Sequence, residues 1–365
     1  MIESIYLKNF TVFDEMEMKL SPGINVIIGE NGTGKSHLLK AIYTMSSLYR
    51  TDRKDTQIDE RTVRETLTSK LINTMMPIDA KLWKLRKSDA TREAFIKTCS
   101  HDIGNFEISF NFNSKKVSLP IAASTIFSAL EDSVKPVFIP AKEICFIVEG
   151  LKDVPTTTIV NHMQALHFDE TYTDLIKKLT KPTGADVTIS EKSEWVLSEI
   201  KKIVRGKFVH DRSGNLVFRS FGTDFSVNVM AEGFRKLGTL CRLIENGSLA
   251  PGSGAPLFWD EPDSNLNPLL IELLAQILVE LSREGLQIIL ATHNYHLIKW
   301  LDLLNDKNQG DEIRFHALYR NPENRLVVVN EYAEMLSMLL NNPIQESFRT
   351  IINKEIEDNL GGVGK

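Results

Sequence analysis

Apolar side chains alternate with polar ones at Ile5 and Leu7 and again at Met16, Met18 and Leu20, which predicts two opening strands. The run Ile24-Asn25-Val26-Ile27-Ile28 predicts a third strand, buried on both faces. From Thr51 to about Ser100 the spacing turns helical and polar, without the sustained heptads of a coiled-coil arm. Phe106, Ile108, Phe110 and Phe112 then alternate strictly, Asn113-Ser114-Lys115-Lys116 supplies a turn, and Val117 and Leu119 resume the pattern of a hairpin. Val137 to Ile139 read as a short strand ended by Pro140, and residues 154–204 as a second helical stretch broken at Pro182 and Gly184. Phe208 to Arg219 predict a hairpin turning on Arg212-Ser213-Gly214-Asn215, followed by a strand at Phe225 to Met230. Beyond Leu257 the order becomes α/β: a strand at Leu257-Phe258-Trp259, a helix opened by Pro268 and closed by Gly285, and a strand at Gln287 to Leu290. Such βαβ order implies a parallel sheet with its ligand at the carboxyl ends of the strands. The tail predicts a hairpin, Ile313 to Tyr319 and Leu326 to Val329 with a turn at Asn321-Pro322, then two helices split by Pro343.

With 365 residues, 42% of them hydrophobic, the chain can bury a large core and divide into two or three compact units. A net charge of −5 removes any global positive field, so contact with nucleic acid would need a local patch. Cys99, Cys145 and Cys241 are widely spaced in apolar surroundings and read as reduced core thiols. Glu3 near the start, and the lack of a long apolar run, argue against a signal peptide or a membrane span; a cytoplasmic location is expected.

Candidate chemistry begins directly after the third strand. Residues 29–36 read GENGTGKS, a full match to the phosphate-loop pattern. Gly29, Gly32 and Gly34 let the backbone curl. The amides of Glu30, Asn31 and Thr33 can then turn toward phosphates, Lys35 can reach the outer ones, and the Ser36 hydroxyl can ligate Mg²⁺. His37 to Tyr43 continue as a helix whose positive end faces the same anion.

The second half of such a site lies at residues 257–268, LFWDEPDSNLNP. Adjacent acids at the end of an apolar strand suit Mg·ATP hydrolysis, with Asp260 for the metal shell and Glu261 to orient or deprotonate the attacking water. Two neighbouring carboxylates in a buried place repel unless a cation sits between them.

On these residues the chain resembles ABC-type ATPases, because DEPDSNLNP is similar to their Walker B and D-loop segment. IILATHN at 288–294 is similar to a strand ending in the switch histidine, which gives His293 a γ-phosphate contact. Ala231-Glu232-Gly233 before FRKLGTL resembles the signature segment that touches the partner subunit's nucleotide. Phe234, Leu237, Cys241 and Ile244 would bury one stripe of that helix, leaving Gly233 and the free amides of its start toward an anion, with Arg235 and Lys236 nearby. Nearly two hundred residues separate phosphate loop and signature, a spacing that resembles the SMC, RecF and OLD-like branch of AAA-family ATPases. The opening LKNFTVFDEMEMKLSPGINVIIGENGTGKS is similar to that branch as well.

The resemblance implies an α/β fold: an ABC-type head with a mixed, mainly parallel sheet, an N-terminal antiparallel β subdomain and an inserted helical subdomain. Residues 1–50, 103–153 and 206–330 would form the head, 51–102 and 154–205 the helical insertion, and 331–365 C-terminal helices. It also implies ATP and Mg²⁺ as ligands, an ATPase, and ATP-dependent joining of two copies. Ala231 stands where the family has serine, and Asn267 where the D-loop usually has aspartate; Lys142 and Glu143 are Q-loop candidates by position only.

Weaker signals leave alternatives open. Lys81, Trp83, Lys84, Arg86 and Lys87, and the run Lys201, Lys202, Arg205 and Lys207, have the composition of a phosphate-backbone contact or of a solvated helix face. His162 and His167 lack a metal spacing, and His296, one turn after His293, reads as structural. About sixty residues follow Trp300 without a paired-acid strand end for two metals, so cleavage by this chain alone is not expected. Lack of an [NT]-K-x-D motif disfavours guanine. Three functions remain: an ATP-driven switch or sensor acting on a separate nuclease or toxin in prokaryotic antiviral defence, a RecF-like DNA-repair ATPase, and a scaffold that holds ATP without turnover.

Overall fold

The computed structural model describes residues 1–47, 60–87, 92–101, 104–119, 135–144, 158, 162–163, 165–183, 187–211, 216–250, 254–321, 323–324 and 328–360. Strand β1 (Ile2–Phe10) pairs antiparallel with β2 (Phe13–Lys19) on one side and β4 (Ala94–Ser100) on the other, and β5 (Gly104–Phe110) completes this four-stranded sheet. A six-stranded sheet has the order β13-β12-β3-β11-β10-β6, with β3 (Ile24–Gly29), β6 (Val137–Ile139), β10 (Leu257–Asp260), β11 (Ile288–Thr292), β12 (Ile313–Arg320) and β13 (Val328–Ala333). Only β13 runs antiparallel to its neighbour. The α/β expectation of a parallel sheet therefore holds. A separate three-stranded antiparallel sheet joins β7 (Lys207–His210), β8 (Leu216–Ser220) and β9 (Thr223–Phe225).

Each central strand feeds two cores, because successive side chains point to opposite faces. Ile27, Phe138, Phe258, Ile289 and Leu318 face the antiparallel sheet, with helix α1 (Lys35–Ser46) and α2 (Glu60–Met75) packed alongside. Val26, Ile139, Trp259, Leu290 and Phe315 face the other core, built from α3 (Glu170–Leu179), α4 (Glu191–Val204), α5 (Glu232–Glu245), α6 (Ile271–Arg283) and α7 (Tyr295–Leu304). Asn25 is the polar exception in the buried β3. Its amide closes on the backbone of Ser21, accepting from N at 2.8 Å and donating to O at 2.9 Å, so no polar group is stranded.

Several local expectations are corrected. The helical reading of residues 51–100 fails at its end, where β4 forms. Its inward positions are Ala94, Ile96, Thr98 and Ser100, and the two hydroxyl residues hid the alternation. Cys99 consequently lies on the outer face, its Sγ donating to Glu3 at 3.3 Å, whereas Cys241 is buried as expected; Cys145 lies outside the described residues. The strand expected at 225–230 ends at Phe225, because Ser226 accepts from the Asn228 amide at 3.1 Å and caps a 3-10 turn, Val227–Val229. The return expected at 117–119 reduces to a bridge between Ser109 and Ser118, since β5 finds its main partner in β4. In the tail, residues 336–338 form one 3-10 turn, and Pro343 opens α8 (Pro343–Leu360) instead of splitting a helix; proline is tolerated there because its missing N–H has no partner in a first turn. The turns at residues 212–215 and at Pro322, and the break at Gly184, lie outside the described residues.

Gly238, in the middle of α5, makes room for Phe208 of β7: a Cβ at this position would meet Phe208 Cε2 at 1.6 Å. Gly238→Ala should therefore lower stability by about 1–3 kcal/mol, although alanine is the better helix former. A thermal melt at or above that of the parent chain would contradict this packing.

Candidate nucleotide site

Strands β3, β11 and β10 lie side by side and parallel, so their carboxyl ends bring three distant segments to one edge. Register aligns Asp260 with Ala291, and Ala291 with Ile27. The phosphate-loop residues Gly29 to Ser36, the acids Asp260 and Glu261, and His293 are thereby neighbours.

Two glycines shape the loop. Gly29 runs so close to β12 that a Cβ would sit 2.4 Å from the Leu318 carbonyl. Gly34, the residue before α1, has φ 91°, a left-handed conformation, and a Cβ there would strike Val12 and Phe13. Thr33 is buried and ties the loop to itself, its hydroxyl donating to Glu30 O at 2.9 Å; Glu30, Asn31, Gly32 and His37 are exposed. Lys35 is only 7% exposed, and its Nζ donates to the carbonyls of Gly29 at 2.7 Å and Glu30 at 3.1 Å. Burial pushes this ammonium down, while Glu261 and Asp260 push it back up.

Ser36 hydrogen-bonds the Asp260 carboxylate, which joins the first turn of α1 to the end of β10. Burial raises the Asp260 carboxyl, offset by Ser36, Lys40 and Lys35, and its Oδ1 is buried without a hydrogen-bond partner. A buried oxygen lacking a donor, beside a hydroxyl, fits a hard divalent cation. Ser36 and Asp260 are thus the residues that could hold Mg²⁺. Among the described residues no cluster of three or more His, Cys, Asp or Glu could hold a metal alone, and Mg²⁺ ordinarily fills its shell with water and substrate phosphates.

Glu261 adopts φ 49°, an unusual conformation for a residue with a side chain. The backbone around it is pinned on both sides: its N–H donates to Ala291 O at 2.8 Å, and its carbonyl accepts from Lys236 Nζ and Ser264 Oγ, each at 3.0 Å. This turn swings the side chain toward the end of β11. There His293 Nδ1 lies 2.7 Å from Glu261 Oε2, off the hydrogen-bond axis, so that oxygen keeps no directed donor. Burial raises the Glu261 carboxyl; the His293 contact lowers it. His293 itself is more than half exposed.

Three supporting residues carried no assignment in the sequence reading. Buried Asp263 accepts from Thr292 Oγ1 at 2.6 Å, and that same oxygen accepts from the Asn294 amide at 3.0 Å, so the acidic turn braces the loop bearing His293. Lys236, 1% exposed, also donates to Ser264 Oγ. A lysine on the apolar flank of an amphipathic helix was the one available signal. Lys236 therefore does not stand free beside the start of α5, and neither does Arg235, which pairs with the buried Glu143 at 2.6 Å. Both are recruited inward by buried acceptors. Ala231 precedes α5 without a side-chain cap, Glu232 opens the helix, and Gly233 is buried, a Cβ there meeting Asn265 O at 2.6 Å. Asn267 caps the next helix by accepting from Leu269 N at 3.0 Å, which accounts locally for an amide at that position. Lys142 is exposed.

The basic clusters are largely partnered. Lys81 pairs with Asp79, Lys87 with Asp14, Lys201 with Glu245 and Lys202 with Glu199. Trp83 packs on Phe112, and Lys84 and Arg86 lie over these two rings. His296 meets Phe348 edge-on. Among the described residues no helix is long and apolar enough to cross a membrane.

The family described as "AAA domain, putative AbiEii toxin, Type IV TA system" matches residues 69–299, more than half of the chain. The chain is also similar, at 51% identity over 45 residues, to the DNA replication and repair protein RecF of Chlamydia abortus, and at 42% over 45 residues to that of Listeria welshimeri. Each match spans 12% of this chain and 12% of the relative's length. Among solved structures, the SmcHead bound to the C-winged helix domain of ScpA is similar with a TM-score of 0.53 at 13% identity, over 92% of this chain and 98% of the other. At that identity the likeness is one of fold. With two strand ends and a phosphate loop meeting at one sheet edge, this chain belongs to that AAA-domain family and is an ABC-type P-loop ATPase of the SMC and RecF branch.

Proposed function

We propose that the chain binds Mg·ATP between the phosphate loop and the acids at the end of β10, hydrolyses it, joins a second copy while ATP is bound, and acts as a switch on a separate effector. The observation that carries this reading is the orphaned, buried Oδ1 of Asp260 beside Ser36, next to a glutamate held by a pinned left-handed backbone. Lys35 would leave the loop carbonyls for the outer phosphates, and the amides of residues 30–36 would surround the inner ones. Ser36 and Asp260 would hold Mg²⁺, which when bound supplies charge neutralisation between the phosphates. Glu261 would take a proton from the attacking water, and His293, in contact with it, would orient that carboxylate and reach the terminal phosphate. Ala231, Glu232 and Gly233 would meet the partner copy's nucleotide without the hydroxyl a serine would give.

An effector role, with a nuclease or toxin encoded apart, is supported by the family description, which names a toxin–antitoxin system. A RecF-like role on DNA is the second reading, favoured by the 45-residue likeness to DNA replication and repair proteins. Light scattering of the parent chain with and without Mg·ATP tests the shared core of both: ATP should double the mass, and a monomer under every nucleotide condition would remove the dimeric switch. DNA affinity that rises with ATP and falls steeply with salt would select the second reading.

A further inference from the structure

The C-terminal end of α1, roughly 15 Å along the helix from Lys35, borders a cleft of about 480 Å³ walled by α1, α2, α3 and the turn after α5. That volume is in the range of small-molecule sites. Five lysines line it, Lys70, Lys135, Lys177, Lys178 and Lys181, against two carboxylates, Glu170 and Asp174. Both acids are already engaged: Lys70 pairs with each, and the Tyr43 hydroxyl donates to Asp174 at 2.7 Å. The balance in the cleft is thus positive, in a chain whose net charge is −5.

Lysines gather at helix C-termini for a purely structural reason, to meet the last carbonyls, and α3 ends here. Other side chains already perform that task. Arg242 donates to Leu179 O at 3.2 Å and Lys181 O at 2.5 Å, and Asn246 Nδ2 donates to Lys178 O at 2.8 Å. The ammonium groups are surplus to capping. Lys178 is the most exposed to this crowding: burial lowers it to about 8, with Lys135, Lys181 and Lys70 adding to the effect and Asp174 opposing it. Thr44, also on the cleft wall and fully buried, has a hydroxyl with no hydrogen-bond partner. Glu170 Oε2 lacks one too. A divalent cation could use that oxygen, but five neighbouring ammonium groups oppose it, whereas an anion is attracted by them and can accept from Thr44.

We propose that this cleft binds a small phosphorylated ligand of about nucleotide size carrying at least two negative charges, separately from the phosphate loop. The cleft shares α1 with that loop, and the ion pair of Lys40 with Asp169 at 2.7 Å ties α3 to the same helix, so an occupant would sit on an element that also shapes the nucleotide site.

Inorganic tripolyphosphate is the probe, titrated by calorimetry into the Lys35→Ala chain at fixed ionic strength so that the phosphate loop contributes little. One site is expected. Adding Lys178→Gln and Lys181→Gln should weaken it at least tenfold, while Lys201→Gln and Lys202→Gln, which remove the same formal charge elsewhere, should leave it unchanged. No binding to folded Lys35→Ala chain, or equal weakening by the two pairs, would overturn the proposal. Amine labelling of the Lys35→Ala chain gives a second readout if the double substitution fails to fold. Tripolyphosphate should slow modification of Lys178 at least fivefold and leave Lys202 unaffected; equal rates with and without it would count against the site.

Discussion

Replacing Glu261 by glutamine is expected to slow ATP turnover by about 10²- to 10⁴-fold, the scale of a lost general base, with ATP still bound. Glutamine keeps the size of the side chain and a polar contact to His293 but cannot take a proton. The backbone that aims residue 261 does not depend on the carboxylate, since Ala291, Lys236 and Ser264 hold it through main-chain atoms. The variant should therefore fold normally and accumulate the ATP-bound dimer. Single-turnover phosphate release is the decisive measurement, and a rate within threefold of the parent chain would remove Glu261 from the chemistry. A pH profile adds a sign. Burial raises the Glu261 carboxyl, so the base becomes protonated, and turnover falls, at a higher pH than an exposed glutamate would give. Contact with His293 works against that shift, and replacing His293 by alanine should move the acid limb of the profile further upward.

Lys35→Ala should weaken ATP binding by at least about 100-fold, because a buried, charge-assisted contact to phosphate is lost and costs several kcal/mol. The effect on folding should be small by comparison. The lysine's present partners are two loop carbonyls that also face the open side of the site, where water can replace the ammonium. Calorimetric titration of ATP into the variant, with a thermal melt as the folding control, separates the two effects. Unchanged affinity in a folded variant would mean that the loop does not grip the nucleotide through this residue.

Local pattern made the site's parts legible one by one. The phosphate loop between a strand and a helix, the acids ending β10, and His293 ending β11 were each readable because strand, turn chemistry and helix start are encoded by consecutive residues. Buried supports were harder to see. Asp263 stood inside the acidic motif without a role until its partner, Thr292, was found 29 residues away. Lys236 looked like a surface cation at a helix start, and only the carbonyl of Glu261 explains why a charge is buried there. The strand at Ala94–Ser100 escaped because Thr98 and Ser100 point inward: an antiparallel edge tolerates hydroxyls that a hydropathy pattern counts as solvent-facing.

By itself, the sequence determined the order of elements in the α/β half, the glycines a phosphate cradle requires, and the residue types that can meet Mg·ATP, since all of these depend on neighbours along the chain. Tertiary structure decided which carboxylate oxygen is left without a donor, how Glu261 is turned toward His293, which lysines are consumed as internal braces, and where five of them crowd one cleft. Those facts depend on strand register and on burial, which bring together groups hundreds of residues apart and change the cost of each charge once water is excluded.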